Sequence, residues 1–306
     1  MSQVSMVIST AGASEALAEG LGDLRAAAGG GELLLVAPRP GEVEADGCRA
    51  LPETAGADWA TSMNAAVRAA RGEWVLLLHE DLRVEPGFLA PLLQHRHEDD
   101  LFAVVPRVVL PREGGLIESV VEMVVEDGLV GLGRPSLRER ERRWLRSGPV
   151  FLPSAACALY RREAFLRLGG FDPLFTPVAG AELDLGFRAW RRGMRVVYEP
   201  ASIVFHGGSG SLERSLEARD EAALRWRDRL LFQWKNVTDP EWLRAQPATA
   251  LALAAQGEVL GDQALLEGLD LALQALPLAL KAREGEAHVA AARSDREILR
   301  DSAPAR

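Results

Sequence analysis

Residues 71–81 read Arg71-Gly72-Glu73-Trp74-Val75-Leu76-Leu77-Leu78-His79-Glu80-Asp81, and this stretch decides the fold. The unbroken apolar course from Glu73 to Leu78 is that of a strand covered on both faces, as in a parallel sheet. It stops abruptly at His79-Glu80-Asp81. Trp59 to Ala70 reads as a helix ended by Arg71-Gly72, so a helix leads into a buried strand with a polar carboxyl end. In open α/β sheets, ligands bind beyond such ends.

Outward from here the alternation continues. Val4 to Ile8 and Glu32 to Ala37 are short apolar strands separated by the alanine-rich helix Ser14 to Ala28, a βαβ opening. Leu101 to Val105 is a further strand. From Pro111 to Gly148 the pattern breaks into glycines, acids and the arginine-rich run Leu137 to Arg146, an insertion or mobile loop with a short helix, or equally a solvated charged helix. Val150 to Arg161 resumes an apolar course, Glu163 to Leu168 is a short helix, and Gly169-Gly170-Phe171-Asp172-Pro173 is a turn. Glu182 to Arg192 is a helix ended by Gly193. Two strands, Arg195 to Tyr198 and Ser202 to Phe205, are divided by Glu199-Pro200 and lead into His206-Gly207-Gly208-Ser209-Gly210.

After Ser211 the chain turns helical: a basic amphipathic stretch, Leu212 to Lys235, then Ala248 to Arg283 with interruptions at Gly257, Gly261 and Pro277. The expected organisation is an α/β domain over residues 1–211, a helical extension over 212–283, and a polar, frayed tail over 284–306.

Composition narrows the class. In 306 residues, 48% hydrophobic and 26% charged is the balance of a folded globular protein, and a net charge of -9 argues against nucleic acid as a partner. Cys48 and Cys157 stand far apart in unrelated contexts, which suggests neither a disulfide framework nor a cysteine zinc site and fits a reducing cytoplasm. The opening MSQVSMVIST lacks the flanks of a signal peptide, and no uninterrupted apolar run approaches about 18 residues, so no membrane span is expected. Lysine occurs only at Lys235 and Lys281.

Three positions carry candidate chemistry. Asp81, at the end of a buried strand, can hold Mg²⁺ or Mn²⁺ while a diphosphate completes the oxygen shell, or can simply cap a turn. His206, past another strand, can add a nitrogen ligand that Mn²⁺ tolerates, or can be a satisfied structural histidine. Glu182 and Asp184 start a helix whose dipole favours negative charge, as caps do. Asp184 can pair with Arg188 at i,i+4, which leaves Glu182 the freer carboxylate and the candidate general base. No G-x-x-x-x-G-K-[ST] loop, no G-x-G-x-x-G after Val4 to Ile8 and no nucleophile elbow is present. A glycosidase also uses paired carboxylates but needs no diphosphate cation, so metal dependence separates the two chemistries.

In order and spacing, these blocks resemble the inverting family-two glycosyltransferases of the GT-A fold, especially the rhamnosyltransferase-like branch of bacterial surface polysaccharide synthesis. Val4 to Ile8 resembles the opening strand, and Met63-Asn64 through Asp81 the block ending in D-x-D. Gly169 to Asp172 is similar to G-G-F-D, Ala181 to Leu185 with Arg188 to E-D-x-D-L-x-x-R, and His206 to the downstream histidine. The resemblance implies a Rossmann-like, mostly parallel central sheet flanked by helices, a C-terminal helical extension, and inverting transfer from a nucleotide-diphosphate sugar to a hydroxyl of a glycan or lipid-linked acceptor. It places the metal on Asp81 and His206, catalysis on Glu182 with Asp184, and donor or acceptor contacts on Asn64, His79, Glu80, Asp172 and Arg188.

The departures are His79 for the first acid of D-x-D, Ala181 for the glutamate before the base, Glu for Asp at the base itself, and Val36-Ala37-Pro38 where relatives carry an aspartate. They leave open a catalytically silent binding or scaffold subunit. The basic residues Arg214, Arg219, Arg225, Arg227, Arg229 and Lys235 beside Leu216, Leu224, Leu231 and Trp234 suggest either contact with an anionic inner membrane face or packing on the α/β domain. The extension is also a candidate for homodimerisation.

Overall fold

The computed structural model describes residues 4–10, 15–37, 47–51, 57–111, 116–133, 145–177, 180–207 and 218–303. The strands are β1 (Val4–Ser9), β2 (Glu32–Val36), β3 (Arg49–Ala50), β4 (Trp74–His79), β5 (Leu82–Val84), β6 (Leu101–Leu110), β7 (Leu116–Ile117), β8 (Glu122–Glu126), β9 (Leu129–Gly133), β10 (Gly148–Pro149), β11 (Cys157–Arg161) and β12 (Arg195–His206). The helices are α1 (Glu15–Ala28), α2 (Trp59–Ala69), α3 (Leu89–Gln94), α4 (Arg162–Arg167), α5 (Gly180–Arg191), α6 (Ala218–Asn236), α7 (Pro240–Leu260), α8 (Gln263–Ala287) and α9 (Asp295–Asp301).

The central sheet runs β10-β12-β6-β11-β4-β1-β2-β3, with β5 on β12 and β7 on β6. β3, β2, β1 and β4 are parallel, as are β6 and β12, and β11 is inserted antiparallel between β4 and β6. Strand alternation explains the continuous apolar sequence of β4. Val75 and Leu77 enter the core on one face with α2 and α5, while Trp74, Leu76 and Leu78 enter the core on the other with α1 and α3. Gly72 lets the α2–β4 turn press against β1: a Cβ there would stand 2.6 Å from the Ser5 nitrogen.

Several expectations are corrected. Arg195–His206 is one strand; Pro200 sits at an irregularity between Glu199 and Ile203, where the ladder to β6 is interrupted. The stretch after Pro111 holds β7 and the β8–β9 hairpin, while residues 137–144 of the arginine-rich run lie outside the described residues. Pro277 lies within α8, which continues to Ala287. The tail expected to fray is instead docked: Ser294 opens α9 with a capping box, and buried Asp295 accepts from the amides of Thr238 (2.6 Å) and Asp239 (2.7 Å) and pairs with Arg191.

The extension shares the core of the α/β domain, because Leu231, Phe232, Val237 and Trp242 belong to the same hydrophobic cluster as β4 and α5. Helix α6 is therefore an internal wall. Two of its basic residues are turned inward, Lys235 at 3% exposure and Arg227 paired with Asp228, while Arg219 and Arg225 stay on the surface in ion pairs with Glu267 and Glu221. Arg227 and Lys235 are thereby taken out of the cationic stripe that suggested a membrane face; Arg214 and Leu216 lie outside the described residues. Among the described residues, Gln263–Ala287 alone is long and apolar enough to cross a membrane, by length and composition. One of its faces packs on α6 through Leu265, Leu269 and Ala272.

Candidate active site

The carboxyl end of β4 meets the end of β12 through β5. His206 is in register with Leu82, and the Gly207 amide donates to the Asp81 carbonyl at 3.1 Å. The short reversal after β4 therefore sets Asp81 beside His206. Ligand atoms of His79, Asp81 and His206 all lie within 4.8 Å of one another, with His206 Nε2 3.3 Å from Asp81 Oδ1 and the two imidazoles edge to face at 5.7 Å. Sequence reading placed His79, in the position of the first acid of D-x-D, among the donor contacts; the structure sets it as the third member of the cluster.

A fourth group was missed. Glu118, just past β7, is held beside β6 by its amide, which donates to the Val108 carbonyl at 2.9 Å, and its Oε2 lies 2.9 Å from His206 Nδ1. No sequence signal marked it, because it falls in the irregular glycine-rich stretch. Burial works against a charge on His206, but Asp81 and Glu118 outweigh it and push the imidazole up to about 10. Burial, and after it the His206 charge, hold His79 below the ordinary imidazole range against the opposing pull of Asp81, Glu118 and Glu80. Two imidazoles and a carboxylate, with an outer carboxylate on the far nitrogen of one ring, form the donor set of a divalent-cation site.

Glu182 occupies the first turn of α5, 4% exposed, and its Oε2 has no hydrogen-bond partner among the described residues. Burial raises its carboxyl to about 7; its own amide opposes this, and the charges of Asp228 and Glu118 add to it. Glu118 thus acts on both Glu182 and His206, which brings the base candidate and the cation cluster into one electrostatic neighbourhood.

The remaining sequence-derived site residues are engaged with the protein's own groups, including the expected Asp184–Arg188 pair. Asp184 is fully buried and accepts from Arg188 Nε (2.8 Å), Lys235 Nζ (2.6 Å) and Asn236 Nδ2 (2.9 Å). Burial alone would raise it, yet Arg188 and Lys235 hold it at about 2, which favours its anionic form. Arg188 also donates to the Gly170 carbonyl at 2.7 Å, and Lys235 reaches Asp172 at 2.6 Å. Asp172 uses its other oxygen to cap Leu174 at 3.0 Å. The Asn64 side-chain amide bonds both the Phe171 carbonyl and the Phe171 amide, each at 2.8 Å. Gly170, at φ 75°, permits that clamp, since a Cβ would stand 2.2 Å from Asn64 Oδ1. Glu80 turns to the end of β1, where it accepts from the Thr10 hydroxyl.

A mixed, mostly parallel sheet with a polar cluster at its carboxyl edge and helices closing the second half defines the GT-A glycosyltransferase fold. The structure is similar to that of GalNAc-T7 solved with UDP, GalNAc and Mn²⁺, with a TM-score of 0.65 and 14% identity over 98% of this chain and 56% of that one. It is also similar to a mannosyltransferase from Pyrobaculum calidifontis in complex with GDP-Man and Mn²⁺, with a TM-score of 0.52 and 15% identity over 93% and 73% of the two chains.

Within that fold class, residues 44–169 match the model of the family described as Glycosyl transferase family 2. Among curated relatives, the O-antigen biosynthesis protein RfbC of Myxococcus xanthus is 31% identical over 52% of this chain and 12% of its own length. The pre-mycofactocin glycosyltransferase of Mycobacterium tuberculosis is 31% identical over 48% of this chain and 29% of its length. The N-acetylglucosaminyl-diphospho-decaprenol L-rhamnosyltransferase of the same organism is 26% identical over 46% and 49%. The chain thus spans at most about half the length of these relatives.

Proposed function

We propose that this chain transfers a sugar, with inversion, from a nucleotide-diphosphate donor to a hydroxyl of a glycan or lipid-linked acceptor in surface polysaccharide synthesis. The observation that supports the reading is the convergence of His79, Asp81 and His206, with Glu118 bonded to His206 and its charge also felt at Glu182. His79, Asp81 and His206 would hold a divalent cation, which when bound supplies positive charge to the diphosphate leaving group. Nitrogen donors favour Mn²⁺ over Mg²⁺.

Glu182 accepts the acceptor's hydroxyl proton; the oxygen then forms the new bond to the anomeric carbon while that carbon's bond to the diphosphate oxygen breaks. A carboxyl raised to about 7 suits this role, since the base is strongest where its affinity lies near the working pH. The similarity to structures solved with UDP or GDP-Man and Mn²⁺, and to a rhamnosyltransferase acting on a decaprenol-linked sugar by its name, supports donor and acceptor of these classes.

The test is a panel of UDP-, GDP- and dTDP-sugars offered with decaprenyl-diphosphate-linked and free glycan acceptors, with Mn²⁺ or with EDTA. Transfer with Mn²⁺ and none with EDTA is expected. Thermal stabilisation by a nucleotide sugar without turnover on any acceptor would favour a silent binding subunit and overturn the catalytic reading.

A further inference from the structure

Helix α7 carries no charge from Ala245 to Gly257, in a chain of which 26% is charged. One side of this stretch is in use. Trp242 and Gln246 are buried, and the Thr249 hydroxyl donates to the Asp127 carbonyl at the turn of the β8–β9 hairpin, at 2.5 Å. Leu253 packs on the cluster between α6 and α8, and Gly257 is pressed so close to Leu266 that a Cβ would stand 2.8 Å from it. These positions recur every three or four residues and so lie along one stripe of the helix.

The opposite stripe has nothing on it. Arg244, Ala248, Leu251, Ala255 and Glu258 are all exposed, at spacings of four, three, four and three residues, the pattern of a coiled-coil seam. Leu251 is 73% exposed, and Val259 at the edge of the stripe is 84% exposed. The seam reads alike in both directions apart from the sign of its charges. Leu251 is central, an alanine flanks it on each side, and Arg244 and Glu258 stand seven residues before and after it, each about 10 Å along the axis. Among the described residues neither Arg244 nor Glu258 makes a side-chain ion pair. At about 20 Å apart on one helix they cannot reach each other.

We propose that this face of α7 is a self-complementary surface that takes a second copy of the chain as an antiparallel helix pair. A two-fold axis beside Leu251 lays leucine on leucine and alanine against alanine, and brings each Arg244 to Glu258 of the partner subunit, as a closed isologous contact requires. The small side chains at 248 and 255 let the two helices approach closely. A parallel pair would instead set arginine on arginine. A helix that lies on an anionic membrane carries lysine or arginine along its polar face. The charges of α7 are Glu241, Arg244 and Glu258, which suit a copy of itself better than lipid. The inference is independent of the assignments of Glu182 and the cation cluster.

The test is sedimentation velocity of the full chain over about 1 to 100 μM, where a concentration-dependent monomer–dimer equilibrium is expected. Leu251→Glu sets two carboxylates face to face at the axis and is expected to weaken the dimer about tenfold or more in Kd. Arg244→Glu and Glu258→Arg each weaken it several-fold. The double variant carrying both reversals restores the wild-type Kd, because the pair is re-formed with its signs exchanged; a merely structural role for either residue predicts no such rescue. All three side chains are exposed, so far-UV circular dichroism and Tm are expected to stay at wild-type values. A wild type that remains monomeric throughout this range overturns the proposal. So does a dimer untouched by Leu251→Glu, or a double reversal no tighter than the single ones. Flotation of a monomeric protein with phosphatidylglycerol vesicles, lost in Leu251→Glu, would give the face to lipid and overturn it as well.

Discussion

Glu182 and Asp184 are separated by one residue in α5, and both are buried, at 4% and 0% exposure. Their chemistry nevertheless diverges. Asp184 has Arg188, Lys235 and Asn236 on its oxygens and sits at about 2; Glu182 has an unbonded oxygen, acidic neighbours and a carboxyl raised to about 7. Desolvation pushes both upward, so burial does not separate them. The identity of the groups facing each one does. The same short helix thereby supplies a fixed anion that holds the scaffold and a proton acceptor that can work near neutral pH.

The sharpest way to break this comparison is to exchange charge for amide at each position. Glu182→Gln is expected to lower the transfer rate by about 10²- to 10⁴-fold with the fold intact. Asp184→Asn leaves Arg188 and Lys235 facing an uncharged group and is expected to cost about 3–5 kcal/mol of stability, read as a fall in Cm and Tm.

The two carboxyls also carry opposite pH signatures. The folded value of Asp184 is depressed, so its contribution is present above pH 4 and disappears as pH falls towards about 2. That of Glu182 is raised from 4.5, so its proton stabilises the fold at low pH and this gain is lost as pH rises through about 7. Denaturant melts across pH should therefore show Glu182→Gln more stable than wild type above pH 7. A lower stability there would remove the contrast.

Smaller effects sharpen the contrast between site and scaffold. Glu118→Gln weakens the orientation of His206 and is expected to reduce Mn²⁺ affinity about 10- to 100-fold, measured by EPR titration. Asn64→Ala strands the Phe171 amide and carbonyl and is expected to cost about 1–3 kcal/mol in stability with Mn²⁺ affinity unchanged. Loss of cation binding in that variant would return Asn64 to the ligand site.

Much of the architecture was legible because it depends on local chain chemistry. The apolar course of Trp74 to Leu78, its polar stop and the glycine at 72 all act on neighbouring residues. Asp81 and His206 were also readable, since each ends a strand. Other side-chain engagements depend instead on partners brought from far along the chain. Asn64 meets Phe171 across 107 residues, and Asp184 meets Asn236 across 52, so their side chains are spent in ways no spacing reveals. Glu118 lies in a stretch without periodicity. Lys235 had one faint mark, its rarity in an arginine-rich chain; its compact ammonium bridges Asp172 and Asp184 at 2.6 Å each, where a planar guanidinium would need more room.

The buried Asp295 at the start of α9 has a practical consequence for anyone dissecting this molecule. It staples the α6–α7 junction to Arg191 at the far end of α5, whose opposite end carries Glu182. A truncation at residue 211 would strip Leu231 and Phe232 from the core and leave Asp184 without its lysine. Such a fragment would be half a clasp, prone to aggregate and to protease attack, and the minimal unit for crystallisation or assay runs through the terminal helix.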